Sequence, residues 1–223
     1  MTAAVTVIMC VYKRVERLPE TIRLLEQQTN KNFRFIIWNN SGIEISPQSN
    51  SLNMLVHNSE KNIGGIGRFY AVKTYCGKFE KIIFIDDDQI FNNTLIADFI
   101  KIYEVNKIKS WHSFIIIDEN NYFNRKKISK CGVKCNYCGT GGMILNSSIF
   151  FDEGLYQIPN EYIFIEDLWL SFYAITIHGY VLEHASVNIQ IIIDEHDQYK
   201  LLIDKKTKFL KYLIEKKWNI RNI

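Results

Sequence analysis

Three consecutive aspartates, Asp86, Asp87 and Asp88, follow directly on the four apolar residues from Ile82 to Ile85. The run is rich in isoleucine, which predicts a strand buried on both faces. Adjacent carboxylates repel one another and, when ionised, need water, a cation or hydrogen-bond donors. Ligands of open α/β sheets bind at the carboxyl ends of strands, and hard divalent cations prefer oxygen ligands. The segment therefore predicts a metal site at a sheet edge, with a solvated acidic turn as the alternative.

A glycine-containing segment supplies a second candidate site. Residues Asn62 to Arg68 read Asn-Ile-Gly-Gly-Ile-Gly-Arg and open a predicted helix that runs to about Tyr75. Glycines before a helix N-terminus let an anion approach the backbone closely, and an arginine can form paired hydrogen bonds with phosphate. Lys13 and Arg14 add positive charge after the first predicted strand, where a phosphate could lie. Because the glycine spacing does not match a dinucleotide fingerprint, a tight strand-to-helix turn is the alternative.

Two further carboxylates, Glu166 and Asp167, follow the apolar run from Tyr162 to Ile165 and precede a predicted apolar helix that begins at Leu168. A carboxylate at a helix N-terminus is explained as an N-cap, worth about 1 kcal/mol. Taken alone, Asp167 is therefore best explained by capping.

The elements that must position these residues alternate between strands and helices. Apolar, β-branched runs predict strands at residues 5–12, 33–38, 54–56, 81–85 and 113–117. Helices are predicted to begin near residues 18, 64, 94 and 168, and the third of them to reach Asn106. The strand-helix-strand order implies parallel strands joined by right-handed crossovers.

Composition favours one ordinary globular domain. The chain has 223 residues, of which 47% are hydrophobic and 23% charged. The net charge of +3 is too small to indicate nucleic-acid binding. Lysines near the C-terminus alternate with apolar residues, which predicts an amphipathic helix and leaves peripheral membrane contact open. No secretory signal or transmembrane run is visible, and five cysteines, an odd number, suggest reduced thiols in the cytoplasm.

Taken together, several segments resemble the GT-A glycosyltransferases, in particular the large inverting family 2. The resemblance extends to about His184 and includes the metal-binding Asp-x-Asp motif of that family. The segments that carry it are Val5–Tyr12 followed by Leu18–Leu25, Phe33–Gly42, Asn62–Ala71, Asp86–Asp88, and Glu166-Asp167 with Leu170.

The resemblance implies a site for a nucleotide-diphosphate sugar, with UDP as the expected nucleotide. The residues implied to contact the donor nucleotide are Val11, Tyr12, Arg14, Asn39, Gly65, Arg68, Asp86 and Asp87. Asn39 stands where the family usually has an aspartate that accepts the uracil N3–H. An asparagine carbonyl can also accept that bond, but the neutral side chain leaves GDP or dTDP open.

The resemblance also implies the catalytic parts. Asp88 would ligate Mn²⁺ or Mg²⁺, and His184 or His196 could add a late ligand, with a purely structural histidine as the alternative. Asp167 would be the general base beside Glu166, and the expected outcome is inversion at the anomeric carbon. The residues expected near the donor sugar and the acceptor are Gly141, Gly142 and Trp169.

The implied architecture is an α/β GT-A (Rossmann-like) domain: an open mixed, mostly parallel sheet flanked by helices. We expect one domain over residues 1–223, with a nucleotide-binding half (1–90), an acceptor-binding half (91–190) and a C-terminal lid and helix (191–223). Residues 194–197 could form a lid over the donor. The acceptor would be a glycan or glycoprotein, and the chain could be one domain of a longer protein.

Four alternative interpretations compete with a glycosyltransferase. Cys131, Cys135 and Cys138 have the spacing C-x3-C-x2-C, which resembles the iron–sulfur motif of radical SAM enzymes and also permits a structural zinc site. Reduced thiols in a loop are the simpler interpretation. A noncatalytic nucleotide-sugar-binding module would not need Asp167, and a sugar-phosphate nucleotidyltransferase would need a glycine-rich signature after the first strand, which is absent here.

Overall fold

A computed structural model describes residues 5–194 and 199–221. Within them it has thirteen β-strands and five α-helices. The strands are β1 (Val5–Val11), β2 (Phe33–Asn39), β3 (Asn53–Asn58), β4 (Lys81–Asp86), β5 (Gln89–Phe91), β6 (Lys107–Ser110), β7 (Ser113–Asp118), β8 (Asn121–Lys127), β9 (Lys134–Cys135), β10 (Tyr137–Cys138), β11 (Met143–Asn146), β12 (Val181–His184) and β13 (Ile189–Ile191). The helices are α1 (Leu18–Glu26), α2 (Gly67–Tyr75), α3 (Leu95–Ile102), α4 (Glu166–Thr176) and α5 (Tyr199–Glu215).

Eight strands form one mixed sheet in the order β3-β2-β1-β4-β11-β6-β12-β9. The pairs β1–β2, β2–β3, β1–β4 and β6–β12 are parallel, whereas β11 runs antiparallel to both of its neighbours. The predicted open, mostly parallel mixed sheet flanked by helices is confirmed. Strands β7, β8 and β10 form a separate three-stranded sheet, and β5 pairs with β13.

The sheet is buried on both faces because its central strands β1, β2 and β4 are apolar at most positions on either face. In β1, Val7 and Met9 pack into one core with α1 and α3, whereas Ile8 packs into the other core with α2, α4 and α5. The apolar side of α5, including Phe209 and Leu213, is buried in that second core. No helix in the described ranges has both the length and the apolar character needed to cross a bilayer.

Two element boundaries differ from the sequence prediction. The helix expected to reach Asn106 ends at Ile102, because Tyr103 turns to an extended conformation (ψ 135°) and Asn106 adopts a positive φ of 61°. Strand β6 follows at once. The helix predicted to begin at Leu168 begins at Glu166 as α4, after a short 3-10 turn (Asn160–Tyr162).

The short pair β5–β13 fixes the backbone that follows the aspartates. Ile189 lies opposite Phe91, and just beyond the ladder the Ile192 N–H donates to the Asp88 carbonyl at 2.8 Å. The aspartate segment is therefore held between β4 and a part of the chain roughly a hundred residues later.

Candidate functional site

A cavity of about 550 Å³ lies at the carboxyl ends of β1 and β4. The parallel register places Cys10 opposite Asp86, so the turn after β1 lies beside the aspartates. The predicted site residues that line this cavity are Val11, Tyr12, Arg14, Gly65, Arg68, Asp86, Asp87, Asp88, Glu166 and Asp167. The structure therefore brings together segments that are far apart in the sequence.

The three aspartates differ in their partners. Asp86 accepts a hydrogen bond from Arg68 Nη2 at 2.9 Å, and Asp87 accepts one from Arg14 Nη1 at 3.1 Å. Asp88 has no ion-pair partner among the described residues. Burial, together with the charges of Asp86 and Asp87, raises the pKa of Asp88 to about 7. A carboxylate in this environment would be stabilised by an added cation.

The donor atoms of this cluster fit a hard divalent cation. Carboxylate oxygens are the ligands that Mg²⁺ and Mn²⁺ prefer, and such ions commonly complete their shells with water and phosphate oxygens. Space for Asp86 depends on Gly141, because a Cβ at that position would lie 2.0 Å from Asp86 Oδ2. Asp88 and Asp86 are the residues best placed to hold the ion.

Arg14 connects the cluster to the C-terminal part of the chain. Its Nε and Nη2 donate to the two carboxylate oxygens of Asp194 at 2.8 and 2.7 Å, while Nη1 contacts Asp87. This paired geometry holds residue 194 over the carboxyl end of β1. The rest of the expected lid, including the candidate ligand His196, lies outside the described residues.

The glycine segment forms the opposite wall of the cavity. Gly64 has a positive φ of 74°, and a Cβ at Gly65 would lie 1.8 Å from Glu166 Oε1. Asn40, which the sequence analysis did not single out, holds this loop. Its Nδ2 donates to the Gly64 carbonyl at 3.0 Å, and its Oδ1 accepts from the Ile63 N–H at 3.3 Å.

Asn39 has a different environment from the one expected. Its side chain is fully buried, donates to the Ile43 carbonyl and to Asn58, and accepts from the Ser41 N–H at 3.0 Å. Asn40, not Asn39, lines the cavity. Nothing in this arrangement presents the Asn39 carbonyl to a base, because the amide closes its own turn.

Glu166 and Asp167, adjacent on α4, have opposite ionisation tendencies. Burial raises the pKa of Glu166 to about 7, although Arg68, whose Nε lies 3.9 Å from Oε1, opposes this. For Asp167, burial also acts to raise the pKa, but the Lys206 ammonium and the hydrogen bond from Tyr137 outweigh it, so the pKa falls below its ordinary value. Asp167 is therefore held as a carboxylate.

Two residues that were not predicted as site residues surround Asp167. The Tyr137 hydroxyl donates to Asp167 Oδ2, and the Lys206 ammonium lies 3.8 Å from the same oxygen. Tyr137 lies within the cysteine-containing segment, and Lys206 is one of many lysines near the C-terminus. Neither has a spacing signal that distinguishes it from its neighbours. Leu168 N–H binds Asp167 Oδ1 at 2.7 Å.

A second cavity, of about 480 Å³, adjoins the first. The residues that line both are Arg14, Asp86, Asp88, Thr140, Asp167 and Lys206. The second cavity also has walls from Gln89, His112, Tyr122, Arg125, Tyr137 and Gly141. Asp88 and Asp167 thus lie where the two cavities meet.

Besides Asn39, three predicted site residues lie away from both cavities. Trp169 is buried in the core and donates its indole N–H to the Leu155 carbonyl at 2.7 Å. Gly142 packs against Ile189, where a Cβ would meet the isoleucine side chain at 2.5 Å. His184 ends β12 in a buried position and lines neither cavity, so it is not placed to bind a metal held by the aspartates.

The three clustered cysteines do not converge on one point. Cys131 is exposed, whereas Cys135 and Cys138 are buried with their sulfurs 3.5 Å apart. In the described part of the chain, no group of three or more His, Cys, Asp or Glu residues is arranged to hold a metal ion. The iron–sulfur and zinc alternatives thus have no support from this arrangement. The same finding applies to the three aspartates, so an ion held there by two carboxylates would take its other ligands from water and phosphate.

No protein-family model and no curated protein sequence matches the chain. Solved structures do. S. aureus TarS in complex with UDP-GlcNAc superposes with a TM-score of 0.61 at 18% identity, covering 88% of this chain and 60% of that one. A mannosyltransferase from Pyrobaculum calidifontis in complex with GDP-Man and Mn²⁺ superposes with a TM-score of 0.62 at 11% identity, covering 97% of this chain and 65% of that one.

GalNAc-T7 with UDP, GalNAc and Mn²⁺ gives a TM-score of 0.61 at 12% identity, covering 86% of this chain and 44% of that one. The chain spans between 38% and 63% of the length of the TarS structures it matches. At sequence identities this low, the similarity shows a shared fold and nothing more. The chain has the GT-A fold.

Proposed function

We propose that the protein is a metal-dependent glycosyltransferase that moves a sugar from a UDP-sugar to a hydroxyl group of a glycan or glycoprotein acceptor, with inversion. The observation that carries this proposal is that Asp88 and Asp167 both line the two cavities and so lie where the cavities meet. One carboxylate is suited to a cation, and the other is kept ionised by Lys206 and Tyr137. Charge neutralisation and proton removal would then act on opposite sides of one reacting centre.

The first cavity is assigned to the nucleotide diphosphate. The Gly64–Gly65 backbone, Arg68 and Arg14 surround it, and they supply the cationic and N–H groups that a diphosphate needs. A divalent ion held by Asp88 and Asp86 would neutralise charge on the leaving diphosphate. Most of its lining comes from residues before 90, which supports the proposed division into a nucleotide-binding half and an acceptor-binding half.

The second cavity is assigned to the transferred sugar and the acceptor. Asp167 faces it and would accept the proton of the attacking hydroxyl. Attack from this side, opposite the diphosphate, gives inversion. Tyr137 and Lys206 keep the carboxylate oriented and ionised until the hydroxyl arrives.

Thermal unfolding with nucleotides tests the proposal directly. UDP with Mn²⁺ should raise the melting temperature, since a ligand at a hundred times its Kd stabilises by about 2.7 kcal/mol. EDTA or Asp88→Ala should abolish the shift. A larger shift with GDP would identify GDP rather than UDP as the donor nucleotide. No shift with any nucleotide, or a shift with S-adenosylmethionine alone, would refute the proposal.

All five cysteines are free thiols, which supports a cytoplasmic location for the enzyme.

A further inference from the structure

The second cavity is lined by basic side chains as well as by Asp86, Asp88 and Asp167, and one of them, Arg125, belongs to a stretch of the chain that is basic as a whole. Between Glu119 and Asp152 the sequence contains five basic residues and no acidic residue. This stretch includes β8, on which Arg125 lines the cavity. Helix α5, which carries Lys206, lies against the same strand, and Lys206 approaches the Tyr122 ring at 5.2 Å. Positive charge from two separate elements therefore meets beside Asp167.

Arg125 is held by aromatic rings rather than extended into solvent. Its guanidinium carbon lies 4.1 Å from the ring centroid of Tyr122 and 4.4 Å from that of Phe114. Stacking of this kind fixes the plane of the guanidinium, so less conformational freedom is lost when it binds a planar or tetrahedral anion. A solvated surface arginine would have no such restraint. The side chain is thus preorganised at the cavity wall.

Lys127 continues the basic surface outward from Arg125. Alternate residues of a strand share a face, so Lys127 lies on the same face of β8 as Arg125, and Lys126 lies on the opposite face. The Lys127 ammonium lies 5.0 Å from the Trp111 ring centroid. The Lys127 ammonium is also close to His112, which lines the cavity. Burial, together with the charges of Lys127 and Arg125, lowers the His112 pKa to about 4. Burial is the larger cause.

We propose that the second cavity binds an acceptor that carries an anionic group, a phosphate or a carboxylate, next to the hydroxyl that receives the sugar. Arg125 contacts that group, and Lys127 attracts the same or the next anionic group at the entrance. Lys206 faces Asp167 and supports its ionisation. This inference rests on the proposed function, because it assigns the acceptor to the second cavity.

Direct binding tests the inference without an assay for the natural acceptor. The protein is first saturated with UDP and Mn²⁺, so that the nucleotide site is filled. It is then titrated calorimetrically with three tetrasaccharides: maltotetraose, phosphorylated maltotetraose and tetragalacturonate. We expect at least one anionic tetrasaccharide to bind roughly tenfold or more tightly than the neutral one, as charged hydrogen bonds to a fixed arginine allow. The tighter of the two identifies phosphate or carboxylate as the preferred group.

Matched variants locate the binding surface. Arg125→Gln should weaken anionic binding roughly tenfold, and Arg125→Lys, which keeps the charge but loses the planar fork, should recover only part of it. Lys127→Gln should weaken binding a few-fold, whereas Lys126→Gln, with the same loss of charge on the opposite face, should match the wild type. Circular dichroism and UDP–Mn²⁺ affinity verify that each variant is folded.

Several outcomes would overturn the inference. Equal affinity for all three tetrasaccharides would remove the basis for an anionic acceptor, as would equal losses in Lys126→Gln and Lys127→Gln. A single-stranded RNA or anionic vesicles that bind through Lys127 and are not displaced by the anionic tetrasaccharides would assign the basic surface to another partner. If UDP and Mn²⁺ do not bind at all, the proposed function itself fails, and the two failures are thereby distinguished.

Discussion

The ammonium of Lys206 lies 3.8 Å from Oδ2 of Asp167, the same oxygen that accepts the hydroxyl of Tyr137. Lys206 comes from α5 and Tyr137 from β10, so the environment of this carboxylate is built by elements on both sides of α4. Glu166 and His112 also face Asp167, but burial holds the pKa of His112 near 4 and favours its neutral form. Lys206 is therefore the cation that keeps Asp167 ionised.

Replacing Lys206 with methionine should shift the acidic limb of the pH–rate profile to higher pH. The pKa of Asp167 lies below its ordinary value because Lys206 and Tyr137 together outweigh burial. Without the ammonium, burial raises this pKa, so the base becomes protonated at a higher pH and activity is lost there. The measurement is kcat/KM against pH. Lys208→Met, on the exposed side of the same helix, is the control, and an unmoved acidic limb in Lys206→Met would contradict the assignment.

Tyr137→Phe should reduce both stability and turnover. The buried Asp167 carboxylate loses the hydrogen bond that the Tyr137 hydroxyl donates, which costs about 1–3 kcal/mol of the free energy of unfolding. Urea unfolding monitors the stability loss, and kcat at saturating donor monitors the catalytic effect, while KM for the donor stays constant. Tyr180→Phe is the control, because it removes a hydroxyl that contacts Ser148 from a buried tyrosine that lines neither cavity. An equal loss of kcat in both variants would argue against a specific role for Tyr137.

Asp167→Asn should abolish most of the transfer activity without loss of donor binding. A positioned general base contributes roughly 10²–10⁴-fold to the rate. The amide keeps the shape of the side chain, so UDP–Mn²⁺ affinity should equal that of the wild type in calorimetry. If kcat falls less than tenfold, another group removes the proton, and Glu166 becomes the next candidate because it is buried in the same cavity.

Gly65→Ala should damage the donor site through Glu166. The added methyl would lie 1.8 Å from Glu166 Oε1, so the buried carboxylate or the loop must move. Overpacking of this kind costs about 1–3 kcal/mol, and the displaced loop should weaken UDP affinity. Gly77→Ala is a fair comparison, because its nearest neighbour is the end of the flexible Glu80 side chain at 3.0 Å. Unchanged UDP affinity in Gly65→Ala would exclude this loop from the donor site.

The sequence was informative wherever function needs residues in one continuous segment. Strands β1, β2 and β4 are rich in β-branched and aromatic residues, and the three aspartates begin at the end of β4. Arg68 and the glycine loop are adjacent in the sequence and precede a predicted helix. The parallel strand pairs follow from the order of elements, whereas the mixed character of the sheet was implied by the resemblance.

Contacts between distant segments could not be predicted in this way. Strands β5 and β13 have only three residues each, and their pairing depends on positions that no local pattern specifies. Asn40 was overlooked in favour of Asn39 because the two adjacent amides have the same chemistry. Only the course of the turn after β2 decides which of them faces the cavity. Trp169 was expected near the sugar, yet it faces the core, since α4 is apolar on most of its surface.

The ion pair between Arg14 and Asp194 joins residues that are 180 positions apart. A chain emerging from the ribosome makes the aspartate cluster and the glycine loop early, but β13 and Asp194 appear only near the end of the described sequence. Until then β5 lacks its pairing strand, and Arg14 has only Asp87 to contact. Such long-range contacts form late in folding because a large loop must close first. Nucleotide-binding competence should therefore require synthesis as far as Asp194, so nascent chains truncated before β13 would not sequester the donor.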